Sequence, residues 1–158
     1  MPHLQGYGPD GLCLEAWWGE IGSSELLAHE KHHLAVAKPS LPPRAIVDLT
    51  RARFDLSVGK RQIEELTELY LQHQNIVAGA RVAIVVGSDI DKVRLYEKYA
   101  RERSLNVVVF NTIEVACVWL GADAAQVREW MREAPIRATA HVSELDVADR
   151  NHSQGRAF

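Results

Sequence analysis

The sequence predicts an α/β domain: a mostly parallel sheet of β-α units with an added N-terminal hairpin strand. Three observations carry that prediction. Short apolar runs at 45–50, 81–86 and 106–110 alternate with stretches of helical apolar spacing. The helical stretches are bounded by capping residues, Gly or Pro. Strands and helices alternating at this spacing imply right-handed crossovers and therefore parallel neighbours.

His3 to Tyr7, the turn Gly8-Pro9-Asp10-Gly11 and the run Leu12 to Trp18 read as a hairpin, because Pro and Gly supply the turn dihedrals. In its second strand Leu12, Leu14, Ala16 and Trp18 share one face, expected toward the core, and Cys13, Glu15 and Trp17 share the other. After Gly19 and Gly22, Ser23 is expected to cap a helix carrying Leu26, Leu27 and Leu34, ended by Pro39, Pro42 and Pro43. Next come a strand at 45–50 and a helix from about Val58, with Ile63, Leu66, Leu69 and Tyr70 at helical spacing. A strand at 81–86 follows. Ser88-x-x-Asp91, a capping-box variant, then opens a helix bearing Val93, Tyr96 and Ala100. The last strand is 106–110, followed by Asn111 or Thr112 as cap and a helix aligning Ile113, Ala116, Cys117 and Leu120, stopped by Gly121. The domain thus spans 1–121. The remainder, 122–158, reads as an amphipathic segment with Val127, Trp130 and Met131 and then a polar tail from Ala134, expected to be mobile or dependent on context.

With 158 residues, 47% apolar and 25% charged, the chain has the size and composition of one globular domain. Its apolar runs, Val82 to Val86 and Val107 to Phe110 among them, fall far short of the roughly 18 residues a membrane span needs, and the N-terminus lacks a secretory signal. A cytoplasmic location is expected. Two cysteines, Cys13 and Cys117, are too few for a disulfide framework and are expected as thiols. Eighteen Lys and Arg against twenty-one Asp and Glu leave no electrostatic footprint for nucleic acid.

The element order resembles the SpoIIAA-like fold of STAS domains and small bacterial STAS/SEC14-type proteins, and individual residues extend the likeness. Val47-Asp48-Leu49-Thr50 is similar to that group's Val-Asp-Leu-Ser/Thr strand, and Arg81-Val82-Ala83-Ile84-Val85-Val86 to its Arg-Val-Ala-Ile/Val-Val strand. Val109-Phe110, then Glu114, Ala116 and Trp119-Leu120-Gly121, is similar to its Val-Phe…Glu-Ala…Trp-Leu ending. The resemblance covers about 12–121. It implies helices mainly on one face of the sheet, and a non-enzymatic regulatory module working through a protein partner; the motifs present lead us to expect neither cofactor nor metal. It also implies a phosphorylatable serine after the Val-Asp-Leu strand, within Asp-Ser-Ser-Gly. Here the stretch is Asp55-Leu56-Ser57-Val58-Gly59: Asp55 and Ser57 match in spacing, Leu56 replaces the middle Ser, and Gly59 stands one place late.

Ser57 has two readings. As an N-cap it contributes about 1 kcal/mol. As a phosphorylation or anion site it would use the free N–H groups of a helix N-terminus, with Lys60 and Arg61 as cations in the first turn compensated by the anion. Asp48, at the end of its strand, is expected to accept loop N–H bonds. Ser88 and Asp89, at the carboxyl end of the 81–86 strand, stand where α/β sheets bind ligands, although a capped helix start explains them equally.

His29-Glu30-Lys31-His32-His33 satisfies H-E-x-x-H within a helix, a spacing that places two imidazoles for zinc and a glutamate as base. The extended form of the motif is absent, since Val36 stands in the glycine position, and no third ligand is evident. The expected reading is a solvated helix flank with His33 half-buried, the zinc-dependent hydrolase being a distant alternative. Finally, 82–86 and 107–110 are apolar on both faces. Each exposed Val or Phe would forfeit about 1.5–3 kcal/mol, so the sheet's second face needs a cover. The candidates are the hairpin with Trp17, the segment with Trp130 and Met131, a homodimer partner, or an amphiphilic ligand.

Overall fold

The computed structural model describes residues 3–37 and 43–154, with side chains described as far as residue 140. Strands β1 (His3–Tyr7) and β2 (Cys13–Ile21) form the hairpin, followed by helix α1 (Ser23–Val36), strand β3 (Arg44–Phe54) and helix α2 (Lys60–Glu68). A 3₁₀ turn (Leu69–Gln72) and short α3 (Gln74–Val77) lead to β4 (Arg81–Val86), α4 (Ile90–Glu102), β5 (Asn106–Phe110), α5 (Ile113–Leu120) and α6 (Ala124–Gln154). The sheet order is β1-β2-β3-β4-β5, with β1 antiparallel to β2 and the other neighbours parallel. This is the α/β architecture the alternating pattern predicts.

Strand order equals chain order, so every parallel crossover steps the same way and, being right-handed, lands on the same face. Leu34 of α1, Tyr70 and Val77 of the segment after α2, and Val93 and Ala100 of α4 accordingly pack with Trp17, Leu49, Ile84 and Val107. Helices α5 and α6 follow the last strand, escape that constraint and cover the opposite face. There Ala116, Cys117, Leu120, Val127 and Met131 pack on Leu12, Leu14, Ile46, Ala83 and Val85. The apolar second face is therefore closed within the chain, by the segment bearing Trp130 and Met131, and an amphiphile cannot lie there on bare strands. Trp17 lies on the other face. Both sides of β2 are consequently buried, Cys13, Glu15 and Trp17 as fully as Leu12, Leu14 and Ala16, rather than one side facing the core.

Several boundaries differ from the sequence reading. Strand β3 runs on to Phe54 because the end of β2 continues beside it, pairing Trp18 with Arg51 and Ile21 with Phe54. Ser23 is the first residue of α1, with Gly22 in the N-cap position and no side-chain cap, and α2 starts at Lys60 with Gly59 as its N-cap. The Gly59 N–H donates to Gln62 Oε1 at 3.2 Å, so Ser57 caps neither helix from its own N-cap position. At α4 the N-cap is Asp89, left-handed at φ 55°, and Ser88 does not cap. Thr112 accepts from Val115 N and Gly121 closes α5 at φ 67°, as predicted. Pro39 and Pro42 lie outside the described residues.

The segment expected to be mobile or dependent on context is helical through Gln154, and Glu129–Arg132 and Glu133–Arg137 pairs lie along α6. Pro135 inside α6 has no N–H for the Met131 carbonyl. The Arg51 guanidinium takes that acceptor at 2.6 Å, which lets the helix pass the proline. Arg44 and Arg81, at the starts of β3 and β4, likewise donate to the Leu120 and Trp119 carbonyls at the C-terminus of α5, where cations suit the helix dipole. At the α6–β1 contact Gly6 has to be glycine, since a Cβ would stand 2.9 Å from the Trp130 ring.

Candidate functional site

Helix α1 has one stripe that can face the sheet: residues 26, 29, 30, 33 and 34, at the i, i+3, i+4, i+7, i+8 spacing of a buried face. In this chain that stripe reads Leu, His, Glu, His, Leu. The helix therefore turns polar groups inward across its middle, and the side chains expected on a solvated flank line an interior cavity instead. The cavity, of about 160 Å³, lies between α1, α2, α4 and the sheet. Its walls include Trp17, Val47, Leu49, Val77, Ile84 and Val93.

The polar groups on that wall form two short chains of contacts. In the first, His29 Nε2 lies 3.0 Å from Glu15 Oε1, which also accepts from Trp17 Nε1 at 2.5 Å. The His29 N–H direction misses the oxygen, so the nitrogen makes no hydrogen bond. Burial pushes the Glu15 carboxyl up, but His29 and Trp17 outweigh it and leave Glu15 below its ordinary value. Burial pulls His29 down, and the two neighbouring carboxylates more than restore it. His33 is lowered by burial, and its Nδ1 lies 3.1 Å from Gln5 Nε2 on β1. His3 stacks on Trp17 at 4.3 Å and meets His29 edge-on at 4.6 Å. In the second chain, the Tyr70 and Tyr96 hydroxyls are 2.5 Å apart and both face Glu30. Glu30 is surrounded by protein yet keeps accessible surface, because that surface faces the cavity. Burial and then the Glu15 charge raise its carboxyl to about 7. Cys13, also on the wall, is pushed up to about 12 by burial and is no nucleophile near neutral pH.

This leaves Glu15 and His29 side by side, Glu30 half-protonated near neutral pH, and two neutral phenols. The arrangement can hydrogen-bond an uncharged oxygen or nitrogen while apolar walls hold the rest of a molecule. It also brings together one carboxylate and two imidazoles whose ligand atoms all lie within 4.8 Å of one another, so the third ligand that the sequence did not show is Glu15 of β2.

The other predicted residues stand elsewhere. Ser57 Oγ accepts from Ser23 N at 2.9 Å and donates to Asp55, whose carboxylate also takes the Ser57 N–H at 2.8 Å. These bonds hold Asp55 below its ordinary value. Negative charge is thus already present at the N-terminus of α1, and Ser57 works as a latch between that helix and the loop after β3. Lys60 and Arg61 lie in the first turn of α2. Asp48 accepts from Thr50 N at 2.9 Å and Thr50 Oγ1 at 2.7 Å, the local bonding expected of it, on the face of β3 away from the cavity. Ser88 donates to the Ala52 carbonyl and Asp89 accepts from Phe54 N at 2.8 Å, so this pair pins the overhang of β3 and does not line the cavity.

Sequence reasoning missed Glu15, Tyr70, Tyr96 and His3 as site residues. For Glu15 a signal existed: an acid in a strand covered on both faces is buried and must find partners. No family model matches the chain, and no curated protein matches it. No described helix is long and apolar enough to cross a membrane.

Proposed function

We propose that the protein binds a small apolar molecule carrying one uncharged hydrogen-bonding group, held between the α1–α2–α4 layer and the sheet. One observation carries this reading: a cavity of about 160 Å³ whose walls are aliphatic and aromatic except for the Glu15–His29–His33 and Glu30–Tyr70–Tyr96 groups, Cys13 and Lys92. Protein interiors ordinarily pack without such voids. An empty, closed void of this size would cost at most about 4 kcal/mol at ~24 cal/mol per Å³, so an occupant that fills it contributes to stability as well as to function. The polar groups select its head, because His29 Nε2 has no hydrogen-bond partner of its own and the carboxyl and hydroxyl groups beside it can bond a polar atom of the ligand. Organic extraction of protein purified from its own cells, followed by mass spectrometry, tests this. A reproducible apolar molecule at near one equivalent supports it, whereas an empty extract from protein that also fails to take up 1-octanol refutes it.

A second reading, a regulatory module of STAS type acting through a protein partner, is favoured by the loop at the start of α1. Leu56 is fully exposed beside Ser57, the residue that latches α1 to this loop. An exposed apolar anchor next to a modifiable hydroxyl is suited to a contact that phosphorylation would switch. Capture from the protein's own lysate that Leu56→Asp and Ser57→Asp both abolish supports this reading, and capture indifferent to both removes it.

A further inference from the structure

We infer that Glu15, His29 and His33 form a binding site for a divalent first-row transition-metal ion at the polar wall of the cavity. The ligand atoms of the three residues already lie within 4.8 Å of one another, which is the spread of donors around a single ion. They come from two elements that the fold holds rigidly together. His29 and His33 are one turn apart on α1, on the stripe that packs inward, and Glu15 sits on the central part of β2.

Unspent bonding capacity is concentrated here. Among the described residues, the buried side-chain nitrogens without a hydrogen-bond partner are His3 Nδ1, His29 Nε2 and Arg103 Nε; the second belongs to this cluster and the first packs edge-on against it. His29 Nε2 is 3.0 Å from Glu15 Oε1 but not directed at it, so the two atoms stand side by side as donors to a shared point would. An orphaned buried nitrogen ordinarily costs about 1–3 kcal/mol, and coordination is one way to recover it. Outer partners are also in place: Trp17 Nε1 orients the Glu15 carboxylate and the Gln5 amide meets His33 Nδ1. Such contacts fix ligand orientation around bound metals.

Two imidazoles and one carboxylate form a donor set suited to zinc and to the neighbouring divalent ions. Three protein ligands leave at least one coordination position. All three residues line the cavity, so that position faces its interior, where a hydroxyl or carbonyl oxygen of a bound molecule could occupy it. Glu30 stands beside the ligands on the same helix and is not counted among them. The inference deepens the proposed binding function by giving the ligand head a metal to meet, but its donor geometry does not depend on that reading.

The test uses the full chain, stripped with a chelator and with no organic ligand added. Titration with Zn²⁺ under equilibrium dialysis should reach one equivalent per chain, and Co²⁺ should give visible ligand-field absorption that Zn²⁺ abolishes. His29→Ala and His33→Ala should each weaken Zn²⁺ binding at least about ten-fold, the lower end of what outer-shell changes alone produce. His32→Ala, exposed on the same helix, should change nothing. If the buried Glu15→Gln variant does not fold, the two histidine variants and the wild-type cobalt spectrum decide. Substoichiometric Zn²⁺, or an affinity equal in wild type and His29→Ala, overturns the inference. A stoichiometric ion in protein that yields no extractable molecule and takes up no 1-octanol keeps the metal site and removes the apolar ligand.

Discussion

Filling the cavity is the perturbation with the largest calculable effect. For a cavity of about 160 Å³, about 4 kcal/mol at ~24 cal/mol per Å³ is the ceiling on what an apolar occupant restores. For a chain of this length each kcal/mol moves Tm by about 2–4 °C, so saturating 1-octanol should raise the melting temperature by up to about 8–16 °C. Ala45 provides the internal control. It shares the cavity face of β3 with Val47 and Leu49, so Ala45→Leu places three more carbons in the void. At ~0.8 kcal/mol per buried methylene the variant gains roughly 2 kcal/mol without ligand, and the octanol effect should shrink by a similar amount. Scanning calorimetry of delipidated wild type and Ala45→Leu, with and without 1-octanol, reads both quantities. The reasoning is refuted if octanol leaves the wild-type Tm unchanged, or if its effect is equally large in Ala45→Leu.

Three further outcomes are expected. Glu30 faces Glu15 of β2, His29 of its own helix, Tyr70 and His73 of the segment after α2, and Tyr96 of α4. Its carboxyl is raised to about 7 from 4.5, so the stability it contributes is complete below the unfolded value and lost as pH climbs through the folded one. In chelator-treated protein, wild type should therefore lose about 3 kcal/mol more than Glu30→Gln between pH 4 and pH 8. Urea titrations showing the same slope in both would contradict this. Ser57→Ala removes the acceptor for Ser23 N, about 1 kcal/mol, and should speed hydrogen exchange at that amide roughly five-fold; unchanged exchange would show that the latch carries no load. Met131→Ala, at a fully buried position on the inner side of α6, should cost about 2–5 kcal/mol. A loss under 1 kcal/mol in urea titration would mean that α6 does not seal the second face.

Where local chemistry and tertiary demand coincide, the fold was legible. β4 and β5 are apolar on both faces because both faces are covered, and their limits follow directly from the residues. The Thr112 cap and Gly121 stop of α5 needed no knowledge of the rest of the chain. The extension of β3 was hidden because polar Arg51 and Arg53 become strand only through pairing with the end of β2. The length of α6 was hidden because Pro135 reads as a break until Arg51 supplies the missing donor. At the site, H-E-x-x-H was visible, but the burial of His29 and Glu30 depended on the rotation of α1, which the Leu26, Leu27 and Leu34 stripe alone does not fix. Glu15 lies fourteen residues before His29 on another element, a juxtaposition that only the β2–α1 packing creates.

The central claim is that an apolar molecule occupies the space between α1, α2, α4 and the sheet. Isotope-filtered NOE spectra of methyl-labelled protein with unlabelled 1-octanol test it most directly. The account predicts contacts from octanol to the methyls of Leu49, Val77, Ile84 and Val93, and none to Leu120 or Val127 under α5 and α6. Contacts confined to Leu120 and Val127, or no contacts at saturating octanol, would contradict it.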